Sequence, residues 1–497
     1  MKTVKSRKIG NKKVKIVVFY FPFKITSGGP IYLSNLAISL AKNPNYHVIY
    51  LEYKDGVARG LLKGSNVEVK NYYDDYVFKL LPEEEIILVT PIYWGNRVPV
   101  LNPKSKIIFF NWHNLCIPSL MEALQCDNAI LKDFLKVVGN SNAEFYCDKA
   151  HWAAQEKFGV AFEERYVPIV ISERKIKANP DIVDPETINI AVVGRLVVDK
   201  IYAITDLLDN ISKEIGIQKK VNLYIIGDGD YRDYLESYPR ADDIHMIFCG
   251  TLSIDEMNSV IARKVDILFA MGTSALEGAA IGLPTVIIPN DTIPFRCDRY
   301  VYLFDCNSYM LGWGPDQIDY FKLKTYSARE ILNQVYVDNK KSLIGEKCRE
   351  YYLKHHFDNS ELFIRAISDT KLTYERYLKV MGNVKLKARE WQRRNILNFL
   401  KHNKKKEVVI WGAGKGGKQL LKIMKELGIK VAFFVDKNAD NIAEINHIPV
   451  VPPNSIKPQS HAVFISLLLF VPEIPKALES MGFEKGINYL YFRFPNY

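Results

Sequence analysis

Three times this chain runs an apolar stretch of strand length into a glycine turn: Val14–Phe21 before Gly28-Gly29, Ile188–Val193 before Gly194, and Val408–Trp411 before Gly412. Each time a segment with helical periodicity follows. A strand, a glycine turn and a helix open a parallel crossover unit, and apolar runs without alternation belong to strands buried on both faces. The pattern predicts an α/β protein made of parallel sheets with helices packed on them. At 497 residues the chain has room for about three such domains, each with its own core.

In the first alternation, Pro30–Lys42 has a helical period, and Val48–Tyr53, Ile86–Thr90 and Lys106–Phe110 are further strand-length runs. Glu173–Thr187 is polar, contains Pro180 and Pro185, and reads as a linker. The second alternation continues through Val221–Ile226, His245–Phe248, Val265–Ala270 and Thr285–Pro289, with closing helices over Glu330–Lys379. Val384–Lys406 reads as a basic amphipathic connector. The expected domains are 14–172, 188–375 and 407–497, with 376–406 as a helical linker.

Composition narrows the class. With 48% hydrophobic and 25% charged residues the chain is globular. Its seven cysteines are scattered, without a C-x-x-C pair or a zinc-type spacing, which argues for reduced thiols in a cytoplasmic protein and no metal site. No signal-peptide core follows the basic N-terminus, and the longest apolar runs, such as Ala462–Val471, are too short for a bilayer. Lys and Arg number 67 against 56 Asp and Glu, a net +11. That excess suits an anionic ligand or an anionic membrane face, but no nucleic-acid motif accompanies it and solvated faces explain most of it.

The densest chemical signal is Met271-Gly-Thr-Ser-Ala-Leu-Glu277-Gly-Ala-Ala-Ile-Gly-Leu-Pro284. It reads as a strand end, a helix opening at Thr273 or Ser274, and a stop at Gly282 and Pro284. The amides of a helix N-terminus seat phosphate, and Glu277 one turn in could hold a sugar hydroxyl. Ser274-x-x-Glu277 is equally a capping box, the commoner use of that spacing. Nearby, Gly194-Arg195 closes a strand with Lys200 just beyond, a cation pair that suits a diphosphate or is merely a pair of surface charges. Ile226-Gly-Asp-Gly229 offers a glycine turn for close packing against a nucleotide. In the first segment, Ser27-Gly28-Gly29-Pro30 lets a backbone approach a ligand or simply turns the chain, and His113 follows a strand end where open sheets bind ligands. His113 reads as a hydrogen-bonding or acid/base group, or as a structural histidine.

In this order these residues resemble the GT-B glycosyltransferases, particularly the large family-four type (glycosyl transferases group 1). The likeness runs over about residues 14–375 and also takes in Phe248-Cys-Gly250 and Asp266. It implies two Rossmann-like domains, an acceptor side first and a nucleotide-sugar donor side second. It implies Arg195 and Lys200 on the donor diphosphate, Glu277 on the ribose, and the amides of Gly272, Thr273 and Ser274 facing phosphates. Gly194 would lie at the donor, Gly28 and Gly29 at the interdomain cleft, and His113 beside the transferred sugar. It implies metal-independent transfer, of hexosyl type, from a nucleotide-diphosphate sugar to a surface polysaccharide or a lipid-linked glycan precursor, at the inner face of a membrane or free in the cytoplasm. One position departs: where the family carries a first glutamate, this chain has Phe269. A non-catalytic GT-B partner or scaffold, or a nucleotide-sugar-modifying enzyme such as an epimerase, therefore stays open.

In the last segment, Gly412-Ala-Gly414-Lys-Gly416-Gly417 fits G-x-G-x-x-G between a strand and a helix, and Asp436 ends the next strand about 20 residues on. The segment resembles the small Rossmann-like domains attached to sugar-modifying enzymes, including sugar acetyltransferases. NAD(P) or another nucleotide on Gly412, Gly414, Gly417 and Asp436 is one expectation, a structural or docking module the other.

Overall fold

The computed structural model describes residues 8–9, 12–24, 28–72, 84–214, 219–467 and 473–493. Ser27 and the end of the apolar run Ala462–Val471 lie outside these residues. The protein is α/β, and each of the three alternations becomes a six-stranded sheet. The first sheet runs, in spatial order, Glu68–Asn71, Tyr46–Glu52, Lys15–Tyr20, Ile86–Pro91, Lys106–Asn111 and Glu144–Tyr146, all parallel. The second runs Ile244–Gly250, Lys220–Ile226, Thr187–Val193, Ile267–Ala270, Thr285–Ile287 and Val301–Tyr302, with only the last strand antiparallel. The third runs Glu444–Ile445, Ile448–Val451, Phe433–Val435, Glu407–Trp411, His461–Leu467 and Tyr489–Arg493, with an antiparallel first pair.

In every sheet the opening strand lies in the interior, the chain steps to one edge, and then returns to the opening strand's other side. This is the doubly wound order. Right-handed crossovers put the helices before and after the return on opposite faces. Between them, at the carboxyl ends of the two central strands, a crevice opens. Burial on both faces explains the unbroken apolar runs: Lys15–Tyr20 and Thr187–Val193 are buried at every position but the first.

Two expected connectors turn out to be structural parts. Residues 376–406 are mostly one helix, Tyr374–His402, about 44 Å long at 1.5 Å per residue. Its buried stripe Tyr374, Tyr377, Met381, Val384 and Ala388 joins the core of the first domain together with Phe363 and Ile367, while Ile396 and Phe399 join the core of the third. By packing, the chain therefore returns to the first domain before residue 375. The Glu173–Thr187 stretch is laid along the second domain, with Ala178 N–H donating to Ile281 O at 2.8 Å and Asn179 N–H to Ala262 O at 3.0 Å. Among the described residues no helix is long and apolar enough to cross a membrane.

Candidate functional site

The crevice of the second domain is built by two loops that leave the sheet side by side, because Val193 pairs with Ala270. Gly194-Arg195 leads into the helix Val198–Glu214, and Met271-Gly272 into the helix Thr273–Ile281. Lys200, in the first turn of its helix, folds back over Gly194: a Cβ there would lie 3.4 Å from Nζ. Arg195 is exposed beside it. Among the described residues neither cation forms an ion pair. Burial holds the Lys200 ammonium below the ordinary lysine value, Asp199 counteracts this, and the neighbouring Arg195 charge adds to it. Two mutually repelling cations at the mouth of a crevice make a seat for an anion.

Gly272 completes this edge. Its φ of 61° suits glycine alone, and its N–H donates to Leu311 O at 2.7 Å. It is the N-cap residue, and no side chain caps the helix, so the capping box expected of Ser274 and Glu277 does not form. The reason is register: the helix starts at Thr273, so Glu277 is its fifth residue, too deep to reach the cap. Ala275 N–H donates to Gly272 O, and among the described residues the amides of Thr273 and Ser274 have no acceptor in the first turn.

Glu277, expected on the ribose, carries hydrogen bonds of its own. Its Oε2 accepts Arg174 Nε at 2.7 Å and Asn258 Nδ2 at 3.0 Å, and its Oε1 accepts Arg174 Nη2 at 2.6 Å. Arg174 arrives from the linker, and this fork raises its already high pKa further. A carboxylate offers about four lone-pair sites, so roughly one is left for a ligand hydroxyl. Nothing local in the sequence marks Arg174 or Asn258 as partners of Glu277.

Other expected elements prove to be packing devices. A Cβ on Gly227 would lie 2.0 Å from Gly194 O, and one on Gly229 2.5 Å from Leu196 O, so this turn's glycines admit the neighbouring loop. Phe269 is fully buried against Tyr300. Asp266 stands at the amino end of its strand, away from the crevice, where Oδ1 holds Lys341 Nζ at 2.7 Å. A cavity of about 410 Å³ lined by Ile281, Gly282, Lys341 and Arg349 lies at the other end of the helix Thr273–Ile281 and belongs to neither crevice.

On the first domain, Gly29 is required by packing, since a Cβ would lie 2.8 Å from the Trp112 ring, whereas Gly28 faces open space. His113 is solvent-exposed, with its Nδ1 accepting Leu115 N–H at 3.1 Å. Burial among surrounding atoms and then His151 hold the imidazole below its ordinary value, against the pull of Asp199 on the second domain. A neutral ring whose Nδ1 is an acceptor carries its proton on Nε2. In that tautomer the Nε2–H of His113 is a hydrogen-bond donor. Behind it lies a group that sequence spacing passed over: Cys147, Asp148 and His151, whose ligand atoms fall within 4.8 Å of one another.

In the third domain the three glycines divide the work. Gly412 turns the chain at φ 114°, Gly417 would place a Cβ 1.9 Å from Gly412 O, and Gly414 opens onto free space at the N-terminus of the helix Lys415–Glu426. This is the division a dinucleotide loop makes between turn, ligand approach and helix packing. Asp436 is partly committed, its Oδ2 accepting Ala413 N–H at 2.8 Å and its Oδ1 accepting Asn438 N–H at 3.0 Å.

Residues 404–486 match the family described as C2185-like, N-terminal, well under half of the chain. No curated protein matches. Among solved structures, the chain is similar to Anabaena Alr3699/HepE in complex with UDP and glucose, at 10% identity over 71% of this chain and 99% of that one, with a TM-score of 0.46. It is similar to WaaG, a glycosyltransferase involved in lipopolysaccharide biosynthesis, at 12% identity over 72% and 99%, with a TM-score of 0.41. It is also similar to the N-terminal domain of Candida albicans trehalose-6-phosphate phosphatase, at 12% identity over 73% and 99%, with a TM-score of 0.42. These likenesses are too distant to carry an argument about this site, which rests on its own residues.

Proposed function

We propose that this chain is a GT-B glycosyltransferase that takes a sugar from a nucleotide-diphosphate donor seated in the crevice of the second domain. The single observation that carries this reading is the pair of cations, Arg195 and Lys200, which form no ion pair among the described residues, beside a helix start whose first amides donate to no described group. In transfer the bond from the anomeric carbon to the β-phosphate oxygen breaks, the acceptor oxygen bonds to that carbon, and the acceptor's proton leaves with the nucleoside diphosphate or to solvent. The two cations and the amides of Thr273 and Ser274 neutralise the charge that develops on the diphosphate. His113, donating from Nε2, orients the transferred sugar from the facing wall. The acceptor is a surface polysaccharide or a lipid-linked glycan precursor, and the basic surface suits binding at an anionic membrane. The third domain binds a nucleotide at Gly414.

Two observations favour a second reading, a catalytically silent GT-B partner of another transferase. Phe269 stands where a donor-sugar carboxylate is expected, and Glu277 is already neutralised by Arg174. One experiment separates the two. The purified protein is melted with a panel of nucleoside diphosphates and their sugars, since a ligand selective for the folded state raises the midpoint. Sugar release from the stabilising donor is then followed, with water and with glycan acceptors. Transfer or hydrolysis that disappears in Arg195→Ala supports the enzyme; stabilisation without turnover by any donor supports the partner.

A further inference from the structure

Cys147 follows the strand Glu144–Tyr146, and the helix Lys149–Ala153 starts on Asp148 as its N-cap. The tight passage from strand to helix folds Cys147, Asp148 and His151 onto one point. Cys147 Sγ lies 3.2 Å from His151 Nδ1, and Asp148 Oδ1 lies 2.7 Å from the same nitrogen. Cys147 and Asp148 are buried and His151 is half-buried. Since both partners meet the imidazole at Nδ1, with Nε2 on neither, the three cannot act as a nucleophile, base and orienting acid in series, which needs both ring nitrogens.

We propose that Cys147 Sγ, Asp148 Oδ1 and His151 Nδ1 form a tridentate site for a divalent transition ion of the zinc class, set in the first-domain wall of the cleft. A thiolate, an imidazole and a carboxylate are the mixed soft and borderline donors such an ion selects over magnesium or calcium. Bond lengths of about 2.0–2.3 Å in a tetrahedral shell put ligand atoms roughly 3.3–3.7 Å apart. The two pairs that meet at Nδ1 reach that spacing by parting a few tenths of an ångström to about one ångström, within the compass of side-chain rotations, and all three ligand atoms already lie within 4.8 Å of one another. The ion takes the place of the proton between Nδ1 and Oδ1, and the thiol proton leaves to solvent. Three protein ligands leave a fourth position, as open zinc sites do. The His113 ring is close by, its centroid 6.4 Å from that of His151. Lys149 N–H donates to Ser308 O of the second domain at 3.2 Å, so the site sits at the seam between the domains. The inference is independent of sugar transfer.

The test adds Co(II) alone to the reduced full-length protein and reads the sulfur-to-cobalt charge-transfer band and the visible d–d bands, then displaces the cobalt with Zn(II). One equivalent per chain is expected, with tetrahedral d–d intensity. The charge-transfer band should vanish in Cys147→Ser, both band sets should be lost in His151→Ala, and Cys249→Ser should behave as the parent. A charge-transfer band that persists in Cys147→Ser, or the lack of any cobalt band in the parent, overturns the proposal. Should either variant fail to fold, X-ray absorption on the parent with one equivalent of zinc decides: one sulfur with nitrogen and oxygen neighbours supports the site, and a shell without sulfur or with several sulfurs overturns it.

Discussion

Lys200→Met tests the donor edge because one ammonium should have opposite effects in the free and liganded protein. Without ligand the charge is a liability: it is partly withdrawn from water, repelled by Arg195, and has no ion-pair partner among the described residues. Methionine keeps most of the apolar stem that lies over Gly194 and removes the charge. Two unit charges 4 Å apart repel by about 1 kcal/mol in water, and the exposure of Arg195 scales this down to about 0.5 kcal/mol. The variant should therefore melt no lower than the parent, and slightly higher at low salt. With a diphosphate bound the sign reverses. A hydrogen bond to a charged group contributes about 1.5–3 kcal/mol, so its loss weakens binding roughly 10- to 150-fold at 1.4 kcal/mol per decade. Isothermal titration with UDP at low and high salt, beside ligand-free melts, reads both quantities, and the salt dependence of binding should become shallower in the variant. A variant that melts lower yet binds UDP as the parent does would refute the anion seat, because the lysine would then be holding up the fold.

Other expectations follow from the same geometry. Arg174→Ala and Glu277→Ala should each speed hydrogen exchange in the helix Thr273–Ile281 by about 10- to 100-fold, the equivalent of roughly 1.5–3 kcal/mol for a charged fork. The exchanged pair Arg174→Glu with Glu277→Arg should recover that protection but not donor binding; if it recovers both, Glu277 has no contact with the nucleotide. Gly417→Ala should unfold the third domain, since its Cβ would lie 1.9 Å from Gly412 O, whereas Gly414→Ala should fold and lose only nucleotide affinity, checked by domain-resolved proteolysis and nucleotide titration. His113 has its pKa lowered from 6.5, so its neutral form is fully present above that value and is lost only as pH falls past the lowered one. Its contribution to transfer should stay flat from roughly pH 8 to 6.5. In His113→Gln, which keeps an N–H donor and cannot titrate, any acid-side fall owed to this ring should disappear, and a parent midpoint above 6.5 that vanishes in this variant would refute the assignment.

The strands were legible because two-sided burial writes itself as unbroken apolar runs, and the glycine turns because a strand-to-helix reversal at a sheet edge leaves no room for a side chain. What those glycines are for was not legible. Gly29, Gly227, Gly229 and Gly417 yield space to Trp112, Gly194, Leu196 and Gly412, while Gly28 and Gly414 face open space, and the sequence writes all six alike. The Ser274-x-x-Glu277 spacing misled for a related reason: moving the N-cap by two residues, from Ser274 to Gly272, turns a cap into a side chain on the helix flank. Real boxes formed at Ser253 with Glu256 and at Ser327 with Glu330, where no glycine displaced the N-cap. Partners distant in sequence stayed hidden. Arg174 meets Glu277 across a hundred positions, and the stripe on Tyr374–His402 announces a buried face without saying that it is shared by two domains.

The route of the chain also constrains how the two facing domains can move. They are crossed twice, at Pro168–Ile171 on the way out and at His356–Asn359 on the way back, and the crossings are bonded to one another. His356 Nδ1 donates to Ile169 O at 2.7 Å, Asn359 Nδ2 to Pro168 O at 2.6 Å, and Ile171 N–H to His356 O at 3.2 Å. Burial pushes the His356 imidazole down to about 4, so the ring stays neutral and this donor role survives across the physiological range. Beyond the paired crossing, the linker is fixed to the second domain through Ala178, Asn179 and the Arg174 fork, and the returning helices are fixed in the first domain's core. Bending is thereby concentrated in the paired segment, as hinge closure requires. The Arg174 fork thus has two duties, fastening the linker to the helix Thr273–Ile281 and neutralising Glu277. A movement of that linker would release two of the three hydrogen bonds that Glu277 accepts, those from Arg174.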